Sequence, residues 1–317
     1  MRPQPLPPIT RRALLAGLGG AALSTLAACT TSADASTADA DATAATPAGG
    51  PRVVTLDTAE LDSAMTLGIT PVGAAKAPAD AGLPDYWPAS RLARITIVGD
   101  IGAPDTAALQ RLRPDLILGN QTRDGAHYET LSRIAPTLLT PTTGRPWKEN
   151  FQQHAHALDR QAAADAFTTA YQRHAAQVTQ GLAGAGLAGA GLAGRRISIV
   201  RFVENAPIRL YARQNFIGTL LDEVQLARPD AQNADLFDVE ITPDQISRAD
   251  GDHLFYAVYG NPDRAGATST LASPGWQALG AVRAHRAFPV SDQLWFQGIG
   301  YTGANAVLDE LQRLLGF

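Results

Sequence analysis

Residues 161–182 read "QAAADAFTTAYQRHAAQVTQGL" and contain neither a proline nor a β-branched run. Ala163, Phe167, Ala170, Tyr171 and Val178 recur at helical spacing, which predicts one long amphipathic helix. "WKENFQQHAHALD" at 147–159 precedes it with a second helical pattern, so 147–184 forms a helical segment with no strand candidate. What flanks this segment decides the fold. On its N-terminal side, "RVVTLD", "RITIVGD", "DLILGN" and "TLLT" alternate with helical patterns, as parallel strands with helical crossovers do. On its C-terminal side the alternation returns with "RISIVRF", "IRLYAR", "HLFYAVYG" and "AFPVSD", and a last helix closes the chain. The reading is an α/β chain with lobes at 52–146 and 195–317. A single helical bridge bends less readily than paired extended strands, so only slight hinging is expected. "GLAGAGLAGAGLAG" at 181–194 is a five-residue repeat, read as a low-complexity loop leading into the second lobe.

The N-terminus fixes location. Arg2, Arg11 and Arg12 precede an apolar run from Ala13 to Ala28, a basic region followed by a hydrophobic one. The run is shorter than the ~20 residues a membrane-spanning helix needs. It predicts a signal peptide over 1–28. Leu26-Ala27-Ala28-Cys29 resembles the bacterial lipobox, in which the cysteine receives lipid and becomes the first residue. Cys29 is the only cysteine, so the domain has no disulfide and relies on its core. "TRRALLAG" resembles a twin-arginine motif without its usual Phe and Lys, and the export route stays open between that and the general pathway. From Cys29 to about Pro51 small polar residues cannot offset the cost of ordering. That stretch is expected to be a lipidated tether reaching roughly 25 Å as a coil. Past residue 28 there remain 23 basic against 30 acidic residues, a net charge of −7 that argues against nucleic acid as a partner.

Several motifs that suggest chemistry fail on context. The pattern G-x-G-x-x-G occurs at Gly184/Gly186/Gly189, Gly189/Gly191/Gly194 and Gly298/Gly300/Gly303, yet none lies between a first strand and its helix. There is no G-x-S-x-G elbow. His154 and His156 point apart on a helix and cannot share a metal. No catalytic residue and no metal ligand set is identified.

What remains is a set of arginines and aromatics at strand ends and loops, where open α/β sheets bind ligands. Arg123 follows "DLILGN"; Trp147 opens the helical segment; Arg201 ends a strand; Tyr211, Arg213 and Phe216 surround the next turn; Trp295, Phe296 and Tyr301 lie in "LWFQGIGYTGAN". "GDIGAPDTAALQRLRPDLILGNQTRD", "LSRIAPTLL", "WKENF", "IRLYARQNFIGTLLDEVQL", "HLFYAVYG" and "LWFQGIGYTGAN" together resemble the iron–siderophore substrate-binding lipoproteins of bacterial ABC importers, above all those taking hydroxamates such as ferrioxamine.

The resemblance implies the class III periplasmic-binding-protein fold: two Rossmann-like lobes, one long bridging helix and a shallow cleft. It also implies a monomeric, non-enzymatic protein, lipid-anchored at the outer face of the cytoplasmic membrane, that delivers a ferric siderophore to an ABC permease. The siderophore saturates its own Fe(III), so no protein cofactor or metal ligand is required. Arginine forks meet its anionic oxygens and aromatic faces cover its linkers. On the match, Arg123, Trp147, Arg201, Tyr211, Arg213, Trp295, Phe296 and Tyr301 are the expected siderophore contacts. With only Lys76 and Lys148 as lysines, a ferric hydroxamate fits better than a triply charged catecholate. Asp244 falls where the family docks its second lobe to the permease; at the first-lobe position Ala107 replaces the usual Glu, and Asp105 is the substitute candidate. The alternatives are a haem or cobalamin carrier on the same scaffold, or an exported enzyme acting on the ferric complex.

Overall fold

The computed structural model describes residues 50–186 and 195–317. The expected signal peptide, Cys29 with its lipid, and nearly all of the tether lie outside the described residues, as does the repeat at 187–194. Among the described residues no helix is long and apolar enough to cross a membrane.

The first lobe is a six-stranded sheet in the order β4-β3-β2-β1-β5-β6. Its strands are β1 (Val53–Thr55), β2 (Gly73–Lys76), β3 (Thr96–Asp100), β4 (Ala103–Pro104), β5 (Leu116–Asn120) and β6 (Thr137–Thr140). All pairs are parallel except the short β3–β4 hairpin. β1 lies inside the sheet and is completely buried, Thr55 included, so it shows no alternation of buried and exposed positions.

The second lobe holds β7 (Ile197–Val203), β8 (Ile208–Tyr211), β9 (Asp238–Ile241), β10 (His253–Tyr259) and β11 (Ala287–Pro289), in the order β11-β10-β7-β8-β9. β7, β10 and β11 are parallel, whereas β8 pairs antiparallel with both β7 and β9. Only residues 204–207 separate β7 from β8, too few for a crossover, so that connection must be a hairpin.

The helix Gln161–Gly184 bridges the lobes, about 36 Å long at 1.5 Å per residue. Its buried stripe is Ala164, Tyr171, Ala175, Val178 and Leu182. The stripe expected from sequence was one position out in its first half: Phe167 and Ala170 face solvent. Its alanine-rich start gives no contrast from which to phase a face. The helix also takes in residues 181–184 of the glycine–alanine repeat, because Leu182 is anchored in the core.

The C-terminal helix Tyr301–Leu315 ties the second lobe back to the first. Asp62, buried on the first-lobe helix Thr58–Thr66, accepts from the backbone N–H of Thr302 (3.2 Å) and Gly303 (3.0 Å) and from the Tyr86 hydroxyl (3.0 Å). A Cβ at Gly300 would collide with the Asp62 carboxylate, and one at Gly303 with the Gly298 carbonyl. The third glycine motif is thus a close-packing device. One apolar core runs from Val53 through Trp147 and Tyr171 to Trp295 and Leu308. Lobes that share a core and a helix cap have little freedom to swing apart.

Candidate ligand cleft

The sheets present the C-terminal ends of β1 and β5 from one side and of β7 and β10 from the other. Asp57 follows β1, Asn120 ends β5, and each side chain accepts from the first turn of the helix that follows. Between these edges lies a chamber of about 210 Å³. Asp57, Thr58 and Arg123 bound it from the first lobe; Arg201, Arg209, Tyr259 and Phe296 bound it from the second. An annex of about 120 Å³ shares the three arginines and Phe296, and is walled by Tyr211, Trp295 and Phe237. At the other end, the Ala79 N–H donates to the Tyr259 hydroxyl at 3.0 Å across the lobes, and a shallower groove continues beyond.

The arginines are held in place by acids. Arg123 sits on the turn Gln121–Asp124 with its Nε 2.7 Å from Asp57 Oδ2, and its side chain remains 43% exposed. Arg201 forks onto Asp292 with two bonds of 2.7 Å and donates to the Tyr211 hydroxyl at 3.0 Å. Its guanidinium lies 4.9 Å from the Tyr259 ring centre and 5.0 Å from that of Phe296, a cation–π sandwich. Arg209 pairs directly opposite Arg201 in the β7–β8 ladder, with Glu240 of β9 opposite it in turn. Like charges placed opposite each other cost stability. Asp238 and Glu240 offset this only from 3.8 Å, and Arg209 Nε is buried without a hydrogen-bond partner.

Arg123, Arg201, Tyr211, Trp295 and Phe296 therefore line one cavity. Three other expected contacts lie elsewhere. Trp147 is buried among Tyr171, Phe216 and Tyr301, with its indole N–H on Thr219 at 3.0 Å. Tyr301 packs on Trp147, Phe151 and Tyr171. Both are mortar between lobes and bridge. Arg213 lies beyond the end of β8 and pairs with exposed Asp222 at 3.3 Å. Arg209 was missed, although the signal was present. Residues two apart on a strand share a face, so the face that brings Tyr211 to the cleft brings Arg209 too. Among the described residues no cluster of three or more His, Cys, Asp or Glu is arranged to hold a metal.

Behind Arg123 lies a buried polar layer. Burial pushes the Asp124 and Asp62 carboxyls up to about 6 and Glu60 well above the usual carboxylate range. Burial likewise holds His154 down at about 4, with its Nδ1 2.9 Å from the Ser63 hydroxyl. The signs oppose. Between pH 6 and 4 the folded chain keeps carboxyl protons that the unfolded chain has released, so Asp62 adds stability as pH falls. Between pH 6.5 and 4 the unfolded chain takes up a histidine proton that the folded chain refuses, so His154 removes stability over nearly the same window. Compared with wild type, His154→Gln should gain about 1–2 kcal/mol on going from pH 7 to 5, and Asp62→Asn should lose about as much. Thermal melts at the two pH values test both signs.

Known proteins share this architecture. The chain is 27% identical over 277 residues to the "Probable siderophore-binding lipoprotein YfiY" of Bacillus subtilis (strain 168), covering 84% of this chain and 82% of that protein. It is 28% identical over 269 residues to the "Achromobactin-binding periplasmic protein" of Dickeya dadantii (strain 3937), covering 84% and 86%. The crystal structure of Staphylococcus aureus SirA complexed with staphyloferrin B superposes with a TM-score of 0.71 at 26% identity, over 84% of this chain and 94% of that one. Two lobes, one bridging helix and a cleft at the strand ends are the class III arrangement, and residues 53–294 match the family described as "Periplasmic binding protein": the chain belongs to that family of substrate-binding proteins.

Proposed function

We propose that this protein captures a ferric siderophore in the cleft and hands it to an ABC permease, held by lipid on Cys29 at the outer face of the cytoplasmic membrane. The observation that carries this reading is the convergence of Arg123, Arg201 and Arg209 with aromatic faces on one cavity. Such a site grips the outside of a complex whose metal is already saturated. The relatives named for siderophores support it. Asp244, exposed on the turn Pro243–Ala249, is the second-lobe candidate for permease docking. Asp105 spends Oδ1 on capping the helix Thr106–Leu112, which leaves Oδ2 for the same role on the first lobe.

A hydroxamate is the proposed ligand class, on charge grounds. Arg123 faces Asp57, Arg201 faces Asp292, and Arg209 faces Asp238 and Glu240. The cleft has no excess of positive charge, which suits a weakly charged ferric hydroxamate and not a triply charged catecholate. The convergence of three guanidinium groups on the cavity favours a second reading, a carboxylate-bearing siderophore, since guanidinium forks match carboxylates in bidentate geometry. Against haem, the hydroxyls of Tyr211 and Tyr259 are already engaged, and burial pushes Tyr259 above its usual range, away from the phenolate an axial ligand needs.

Quenching of tryptophan fluorescence by ferric hydroxamate, ferric carboxylate, ferric catecholate, haem and cobalamin separates these readings. Nanomolar to micromolar binding of a ferric trihydroxamate is expected. Arg209→Ala should weaken it about ten- to a hundredfold, as one or two charge-assisted bonds would, with no loss of melting temperature. Binding of the carboxylate complex alone would select the second reading. No response to any ferric chelate would reject siderophore capture.

A further inference from the structure

Residues 77–88 run from β2 to the short helix Ala89–Leu92 of the first lobe, and Ala77 and Pro78 form part of the chamber wall. The segment is anchored on its own side by Tyr86, whose hydroxyl donates to Asp62 at 3.0 Å. Among the described residues three bonds carry it onto the second lobe. The Ala79 N–H donates to the Tyr259 hydroxyl at 3.0 Å, Gln297 Nε2 to Asp80 Oδ2 at 2.9 Å, and the Asp85 N–H to Gln293 Oε1 at 2.8 Å.

All three converge on the surroundings of Arg201. Tyr259 covers one face of its guanidinium. Gln293 follows Asp292 on the turn Asp292–Trp295. Gln297 Nε2 donates also to Asp292 Oδ2 at 2.9 Å, the carboxylate that holds the Arg201 fork. Gln297 is buried, and its amide can sit only one way round: both neighbours are carboxylates, so the nitrogen must face them. Its Oε1 is left buried with no partner among the described residues, so the bridge is made at a cost. Burial raises the Asp80 pKa, and the bond from Gln297 pulls it back. Asp80 itself does not line the chamber; it lies on the groove beyond Tyr259.

We propose that Gln297 and Asp80 are positioning residues for ligand capture: they clasp the first-lobe loop to the carboxylate that aims Arg201, so the guanidinium is ready for the ferric complex only when the loop is seated on the second lobe. The inference rests on siderophore capture and deepens it. A contact fixed before the ligand arrives loses less freedom on binding, so breaking the clasp at Asp80 weakens capture although Asp80 is no part of the chamber wall. The linkage is reciprocal: a ligand gripped by Arg201 holds the loop down.

Calorimetric titration with a ferric trihydroxamate and with a ferric carboxylate chelate is the test, and Asp80→Ala decides the sign. Acting directly, loss of an acid beside the cleft would leave the affinity for an anionic complex unchanged or raise it. Acting through Gln297, it should lower affinity for the accepted chelate about three- to tenfold. Gln297→Leu should lower it about tenfold, and adding Asp80→Ala should change little further, since the bridge is already gone. Asp80 is a half-buried loop residue, so its variant keeps the test open if Gln297→Leu fails to fold. Gln297→Glu sets a third carboxylate between two. Its deficit against wild type should shrink as pH falls from about 7.5 to about 6, because the crowded, buried acid takes up a proton and can again donate. Unchanged or tighter binding by Asp80→Ala, additive losses in the double variant, or a Gln297→Glu deficit equal at both pH values overturns the proposal. Lower melting temperatures with wild-type affinity throughout also overturn it, and assign the bridge to folding alone. A wild type that binds neither chelate instead rejects siderophore capture, and the positioning role falls with it.

Discussion

Arg201→Ala is expected to lower stability by about 3–5 kcal/mol and affinity for the ferric ligand by at least a hundredfold, two losses with different causes. The stability loss comes from Asp292. Its carboxylate is almost wholly buried, takes both prongs of the Arg201 fork at 2.7 Å, and accepts also from Gln297 at 2.9 Å. Removing the guanidinium strands that charge, and an uncompensated buried ion costs about that much. Affinity falls because Arg201 touches the chamber and the annex alike and stacks between Tyr259 and Phe296. The double variant Arg201→Ala/Asp292→Ala separates the two. It removes both charges, so urea denaturation should show most of the stability recovered while titration shows binding still lost. Full affinity in the double variant would mean that the guanidinium serves the fold alone.

Trp295→Ala should cost about 3–5 kcal/mol, the range for deleting a fully buried tryptophan. The ring is 0% exposed, lies stacked 4.9 Å from Phe255, and donates its indole N–H to Glu310 on the C-terminal helix. Trp295 is among the residues around the annex, so the void left by its removal should disturb the site and lower ligand affinity as well. Calorimetric titration is the proper readout, because the substitution deletes a reporting fluorophore. A variant that melts like wild type would contradict the packing described for this ring.

These two residues show how unevenly the site could be read in advance. The cleft arginines Arg123 and Arg201 were legible from the resemblance together with their places near the C-terminal ends of strands, which lie on the ligand side of an open α/β sheet. The aromatics were not. Trp147 and Tyr301 have the same composition and local setting as Tyr211 and Phe296, yet they pack against the bridging helix and never reach the cavity. An aromatic ring fills a core as readily as it lines a pocket, and the difference rests on contacts remote in the chain.

By itself the amino-acid order settled the class of architecture, through local periodicities: apolar runs in buried parallel strands, and a long strand-free helical stretch between two alternations. Only the tertiary structure decided which charges meet. It set Arg209 opposite Arg201, paired each cleft guanidinium with an acid, and turned Arg213 outward onto Asp222. Strand pairing and sheet order are contacts between distant segments, and no local pattern encodes the register that brings two arginines face to face.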